Sequence, residues 1–403
     1  MRWSAGWSAA YAFLLCALTC AAGPVSAQTD KGPVAAQTPD CLIGFDIGSS
    51  GLRVGLSDAH GVSEAHQRVS VDALGDVWTH GELADSIAPT VQALRTMPAE
   101  QGFPPTCRAV AGGYSAWRLA AERHGPAPLA QALRRIHQES GAFVFVIPQQ
   151  VEGSYGYVAA RQKLGAALTT PFILDIGGGS LQIAGQTGGW GAALGQNAWR
   201  KLYCQADDIH AAPDCALNPL GDQSRDKARR ILAEPSRQAR QALGSGFGLT
   251  GVSISIVHGM HPLLLSYAQR GFIPTDSVDD QGFTRIALDR ALDRLNRMTD
   301  DAITADLIRC RTDLGAAQCD PRFVAATAGN MLLLATLMEG LEVDRLQVGE
   351  ADITNVPGIL TDRDVRRWSD HYDCYLTLLA AMGPDALTTA APACFTPKNK
   401  NIR

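Results

Sequence analysis

Several patterns that would fix a chemistry outright are missing from these 403 residues. No Cys-x-x-Cys pair occurs, so a structural zinc site has no support. There is no Walker-type phosphate loop, no zinc-protease helix and no Ser-His-Asp pattern. Basic residues are not in excess: 35 Lys and Arg stand against 40 Asp and Glu, a formal net charge of −5. Nucleic acid or very long polyphosphate wants a basic groove, and the overall balance offers none. Beyond residue 27 no hydrophobic run reads as a membrane span. With 46% hydrophobic and 19% charged residues there is no disorder signature either, and the length suits two or three globular domains.

What is present begins with an export pattern. Arg2 supplies a positive start, Ala9 to Ala22 a short apolar stretch, and Val25-Ser26-Ala27 a small-residue cleavage site. Together they predict a signal peptide over 1–27 and a secreted, periplasmic protein, with a polar, Pro-containing leader over 28–40. The cysteines after the cleavage site are Cys41, Cys107, Cys204, Cys215, Cys310, Cys319, Cys374 and Cys394. An even number in an exported chain points to disulfides rather than metal. Cys204–Cys215, Cys310–Cys319 and Cys374–Cys394 would each close a local loop. Cys41 and Cys107 each precede an apolar, strand-like run, and neighbouring parallel strands could bridge them.

The most informative feature is an internal repeat. Leu42 to Asp46 reads as a strand, Ile47-Gly48-Ser49-Ser50-Gly51 as a turn, and Leu52 to Leu56 as a return strand. The pattern recurs with Phe172 to Asp175, Ile176-Gly177-Gly178-Gly179-Ser180, and Leu181 to Ala184. Further strands are expected at 108–111, 143–147 and 344–348, and helices at 82–96, 115–123, 151–164, 283–299, 322–341 and 364–381. Strands alternating with helices, with one pattern met twice, imply an α/β fold with a mixed sheet in each half. An Asp at a strand end before a Gly/Ser turn offers two things at once. The backbone N–H groups of the turn converge on an anion as a nest. The carboxylate can hold a hydrated divalent cation beside that anion. A lone copy reads equally well as a tight hairpin; two copies favour a clamp on a phosphate chain.

At this point a family resemblance enters. Asp46-Ile47-Gly48-Ser49-Ser50 and Asp175-Ile176-Gly177-Gly178-Gly179-Ser180 resemble the two phosphate motifs of the exopolyphosphatase/guanosine pentaphosphate phosphohydrolase family. Arg108-Ala109-Val110-Ala111 followed by Ser115-Ala116-Trp117-Arg118 is similar to another stretch of that family, with two extra residues, as is the late region Phe323 to Asp352. Other segments resemble the apyrases: Glu152-Gly153-Ser154-Tyr155-Gly156-Tyr157 and Ser180-Leu181-Gln182-Ile183-Ala184. The chain departs from the first family at Ser50, where Asn is usual, and around Ile353-Thr354-Asn355. Gly251 to Ser255 is the nearest match to the family's second-domain glycine-threonine segment.

The resemblance implies two actin-like (ribonuclease H-like) domains flanking a central cleft, domain I over 41–165 and domain II over 166–360. A C-terminal helical segment over 361–403 would pack back on domain I. It implies hydrolysis of a small phosphoanhydride, polyphosphate or nucleotide, with Mg²⁺ or another divalent cation as cofactor. Glu152 would be the general base toward the attacking water. Gly48, Ser49, Ser50, Gly51, Arg118, Gly177, Gly178, Gly179 and Ser180 would bind phosphate. Gln182 would position the water, or merely pair across the strand. Asp46 and Asp175 would hold the metal through water. Arg53 on the return strand would assist or point to solvent. His258 and His261 read as a packed pair rather than metal ligands, and Trp78, Trp117, Trp190 and Trp199 as core. The alternatives are an apyrase acting on nucleoside tri- and diphosphates, a non-catalytic phosphate or nucleotide binder, and, less favoured by the Glu152 motif, a sugar kinase.

Overall fold

The apolar run after Cys41 forms the strand β1 (Leu42–Gly48), buried along both faces as a central strand must be. The chain turns back into β2 (Gly51–Asp58) and then β3 (Gly61–Val69), each antiparallel to its predecessor. β4 (Arg108–Gly113) and β5 (Phe143–Val146) add to the other side of β1 in parallel, giving the order β3-β2-β1-β4-β5. This is a computed structural model that describes residues 41–48, 51–69, 81–207, 215–252, 257–349, 353–389 and 391–395. The expected signal peptide and leader, Ser49, Ser50, Trp78, Ser253 to Ser255, Glu350 to Asp352 and the side chain of His258 lie outside that description.

The second sheet repeats the first strand for strand. β6 (Phe172–Ile176), β7 (Leu181–Gly185) and β8 (Gly188–Ala192) form the antiparallel meander. β9 (Leu249–Gly251) and β12 (Arg345–Val348) continue it in parallel. The order β8-β7-β6-β9-β12 copies β3-β2-β1-β4-β5 in sequence and direction, and β11 (Gly282–Thr284) and β10 (Val278–Asp279) extend the far edge. The internal repeat is therefore a duplicated sheet, and the fold is mixed α/β with two sheets.

Each sheet has its own apolar core. The second is filled by the helix Val324–Gly340, whose apolar residues face all round because it is buried rather than amphipathic. The first recruits the C-terminal chain: Ile359, Leu360, Val365, Trp368 and Tyr375 pack with Phe45, Val110 and Phe145. β5 is the edge strand there, and its outward backbone groups are taken by phenols. Val146 N–H donates to Tyr375 Oη (2.8 Å), and Tyr372 Oη donates to Val144 O (2.9 Å). That covers an edge that would otherwise invite pairing.

Two of the expected helices are interrupted. The segment at 283–299 opens as β11 before the helix Arg285–Leu295, because Thr284 caps the helix by accepting from Ala287 N–H. The segment at 364–381 splits into Arg363–Ser369 and Tyr372–Met382. Cys41–Cys107, Cys204–Cys215, Cys310–Cys319 and Cys374–Cys394 are all disulfide-bonded. Cys41 and Cys107 immediately precede Leu42 and Arg108, which are register partners in the parallel β1–β4 pair, so their Cα atoms lie 5.0 Å apart.

Candidate active site

The two Asp-led turns line one cavity of about 730 Å³. In β1, Asp46 stands opposite Arg53 of β2; at the matching place in β6, Asp175 stands opposite Gln182 of β7. Arg53 turns inward rather than to solvent, and Nη1 lies 3.5 Å from Asp46 Oδ2. The Ile353-Thr354-Asn355 segment closes over the same carboxylate, Asn355 N–H donating to Asp46 Oδ2 at 3.1 Å. In the second turn Gly177 N–H donates to Ser180 O, while Gly177 O and Gly178 O accept the first N–H groups of the helix Gln196–Gln205. The N–H groups of Gly178 and Gly179 make no hydrogen bond among the described residues, as an anion nest requires. Ser115, the first residue of the helix Ser115–His124 that follows β4, approaches this turn: a Cβ at Gly179 would lie 3.2 Å from Ser115 Oγ.

Glu152 sits in the first turn of the helix Gln149–Leu164, which starts after Pro148 at the end of β5. That helix crosses to the second sheet, and Gly153 lets it lie close: a Cβ there would be 3.2 Å from Ala184 Cβ and 3.3 Å from Gln182 Cβ. Glu152 is buried beside the cavity, and Arg118 Nη2 lies 2.7 Å from its Oε2. Arg118 Nη1 donates to Ile147 O (2.8 Å), so this guanidinium braces the carboxylate and the end of β5. Burial pushes the Glu152 carboxyl up to about 7; Arg118 pulls against that, while the charges of Asp175 and Asp46 add to it. A carboxylate at this value is matched to proton transfer near neutral pH.

The remaining expected residues divide between the cavity wall and the layer behind it. Gly48, Gly177, Gly178 and Ser180 line the cavity; Gly51, Gly179, Arg118 and Gln182 do not reach its surface. Gln182 Nε2 donates to Ser180 Oγ at 2.8 Å, which leaves the serine proton to point elsewhere. Trp117, Trp190 and Trp199 are buried in the cores, and His261 Nε2 lies 2.7 Å from Asp279 O.

Tyr114 was not visible as a site residue in the sequence. It is one of the three residues between Ala111 and Ser115, and it lines the cavity while only 3% exposed. Gly112 and Gly113 make room for it and for Trp117: Cβ atoms there would lie 2.6 Å from Tyr114 Oη and 2.5 Å from Trp117 Cγ. Tyr114 Oη has no hydrogen-bond partner among the described residues. Burial first, then the charge of Asp46, hold this phenol well above its usual range, so it stays a donor. The signal was the glycine pair, which frees space beside Asp46 through the Asp46–Gly112 register.

The donor set fits a hydrated hard cation better than a protein cage. Among the described residues no group of three or more His, Cys, Asp or Glu side chains converges. Asp46 and Asp175 supply oxygens to the shared cavity, and a Mg²⁺ that keeps its waters needs no more from the protein than that.

No family model and no curated protein matches the sequence. Solved structures do match. The Ppx/GppA family member of Aquifex aeolicus has a TM-score of 0.52 at 16% identity, over 82% of this chain and 98% of that one. The exopolyphosphatase of Cytophaga hutchinsonii has a TM-score of 0.50 at 15% identity, over 79% of this chain and 96% of that one. At such identities the likeness speaks of architecture: this chain has the two-sheet α/β fold of the Ppx/GppA structures.

Proposed function

We propose that this protein is an exported, Mg²⁺-dependent hydrolase that releases the terminal phosphate of a small phosphoanhydride, a short polyphosphate or a nucleotide, by water attack. One observation carries the reading: a buried carboxylate raised to about 7 shares a cavity with two Asp-led glycine turns. The four disulfides support an oxidising compartment. The fold likeness to an exopolyphosphatase structure supports the substrate class.

The terminal phosphate would sit on the free N–H group of Gly178, which lines the cavity, with the hydroxyls of Ser180 and Tyr114 as further donors. Gln182 holds the Ser180 oxygen from behind. The ionised Glu152 takes the proton of a water aligned with the terminal P–O bond. The water oxygen bonds to phosphorus, the bridging oxygen leaves, and the fixed donors meet the charge that develops on the phosphoryl oxygens. Arg118 keeps Glu152 in place and offsets part of the burial that would otherwise hold it protonated. Asp46 and Asp175 would hold Mg²⁺ through water, and the ion, when bound, draws charge from the phosphate oxygens.

Phosphate release from ATP and tripolyphosphate, with Mg²⁺ and with excess chelator, tests this reading. Turnover that needs the cation and falls at least about 100-fold in Glu152→Gln is expected. Binding without any release would leave a phosphate-binding protein, and full activity in Glu152→Gln would remove the mechanism.

A further inference from the structure

Hydrolysis as drawn uses Glu152 and Gly153 and leaves the rest of the Glu152-Gly153-Ser154-Tyr155-Gly156 run without a task. On the helix Gln149–Leu164, Gly153 and Gly156 lie three apart and face the second sheet: a Cβ at Gly156 would lie 3.6 Å from Ile173 Cδ1. Glycines let a helix approach closely but give no side chain to lock its rotation. Glu152 and Tyr155, also three apart, share the neighbouring side and are both buried. Tyr155 is only 4% exposed, and a Cβ at Gly358 would press on Tyr155 Cβ. Its Oη donates to Asp362 Oδ2 at 2.5 Å. Burial first, then the charge of Asp362, hold this phenol well above its usual range, so it remains the donor.

The acceptor is itself firmly mounted. Asp362 Oδ1 accepts from Asp364 N–H (2.7 Å) and Val365 N–H (3.3 Å), capping the helix Arg363–Ser369. That helix is rooted in the first core through Val365 and Trp368, both buried. Earlier in the same stretch the chain caps the other half of the site, Asn355 N–H donating to Asp46 Oδ2. Residues 355–362 therefore hold the carboxylate of the first Asp-led turn at one end and the Glu152 helix at the other. A hydrogen bond between a buried donor and a capped acceptor resists rotation of that helix, and a general base misplaced by about 1 Å can cost about 100-fold in rate.

We infer that Tyr155 is a positioning residue: its hydrogen bond to Asp362 fastens the Glu152 helix to the chain that caps Asp46 and fixes the base relative to that carboxylate. Tyr155 is not among the residues lining the cavity, and it acts only through Glu152. This rests on the hydrolytic reading of Glu152, and it adds a residue that the reading does not itself require.

Tyr155→Phe removes the hydroxyl and keeps the ring over Gly358. Phosphate release is followed at saturating Mg²⁺ with ATP or tripolyphosphate, whichever wild type turns over faster. The variant is expected to lose about tenfold in kcat at pH 8, with KM within about twofold of wild type. The rise in kcat/KM between pH 6 and 8 should also shrink. Burial is the largest cause of the raised Glu152 value and a loosened helix readmits water, while Arg118, Asp46 and Asp175, the charged groups acting on it, are unchanged. Asp362→Ala should lose as much, and the double variant no more than the worse single. A hydrogen bond that serves stability alone would lower the melting temperature and leave kcat and the pH profile as in wild type. That result, a loss confined to KM, or single losses that multiply, overturns the inference. If wild type releases no phosphate, the hydrolytic reading fails by itself. Infrared titration of the Glu152 carboxyl, assigned by difference from Glu152→Gln, then decides: a midpoint lowered in Tyr155→Phe upholds the positioning role, and an unmoved midpoint overturns it.

Discussion

Replacing Glu152 by Gln keeps the shape of the side chain and removes its charge, so it isolates the proton-accepting step. The carboxyl titrates at about 7 because it is buried, with Arg118 only partly compensating. A base with that value is about one-tenth ionised at pH 6 and about nine-tenths ionised at pH 8. The kcat/KM of wild type should therefore climb roughly tenfold between these pH values, with an apparent pKa near 7. An ordinary glutamate, titrating near 4.5, would be ionised throughout and give a flat profile over the same range. Glu152→Gln should lose about 100- to 10,000-fold and lose the rise as well, because the residual rate no longer waits on a carboxylate. The assay is continuous phosphate release at substrate concentrations well below KM, in constant-ionic-strength buffers, with free cation fixed. Free cation matters because a divalent ion between Asp46 and Asp175 would ease the repulsion they impose on Glu152. A wild-type profile that is flat from pH 6 to 8, or a variant that keeps the rise, would refute the assignment.

The same raised pKa has a signature in stability. The folded protein holds a proton on Glu152 between about pH 4.5 and 7 that the unfolded chain has released, so stability is fully present below 4.5 and declines as pH rises through 7. The stability of wild type relative to Glu152→Gln should fall by about 3 kcal/mol across that window, read by urea unfolding at pH 4.5 and 8. Gly195 lies directly under the second turn, where a Cβ would press on Ser180 N and stand 2.6 Å from Gly177 O. Gly195→Ala should thus weaken phosphate release by about tenfold or more while costing about 1–3 kcal/mol of stability; normal turnover would show the turn is not gripped there. The Cys41–Cys107 bridge closes a separation of 66 residues. Replacing both by Ser should cost up to about 4 kcal/mol, measured as a drop in the denaturation midpoint.

Much of this architecture is legible in the amino-acid sequence, for physical reasons that differ by element. The Asp-led hairpins were legible because strand, glycine turn and return strand are local, and the repeat turned one ambiguous turn into two matched ones. The duplicated sheet followed from that. Glu152 was legible through its glycine neighbours, and Gly153 proves to be what lets the helix reach the second sheet. The disulfides were legible from local spacing and, for Cys41 and Cys107, from their positions just ahead of two strands. β8 escaped because Gly188-Gly189-Trp190-Gly191-Ala192 has no strand-forming pattern and pairs only because β7 offers an edge. Two contacts on Asp46 were invisible for different reasons: that of Arg53 depends on hairpin register, and the cap from Asn355 on a return from more than 300 residues away. Tyr114 carries no local signature, and only folding brings it to the cavity. Arg118 read as a phosphate clamp; in the fold its Nη2 lies 2.7 Å from Glu152 Oε2 and the residue is not among those lining the cavity, a contact that no local pattern announces.

The central claim is that water, activated at Glu152, attacks the terminal phosphorus of a phosphoanhydride held between the two turns. Turnover of ATP in ¹⁸O-water, followed by mass analysis of both products, tests it most directly. The account predicts one ¹⁸O in the released orthophosphate and none in the nucleotide that remains. Label in the nucleotide product, or no hydrolysis with Mg²⁺ present, would contradict it.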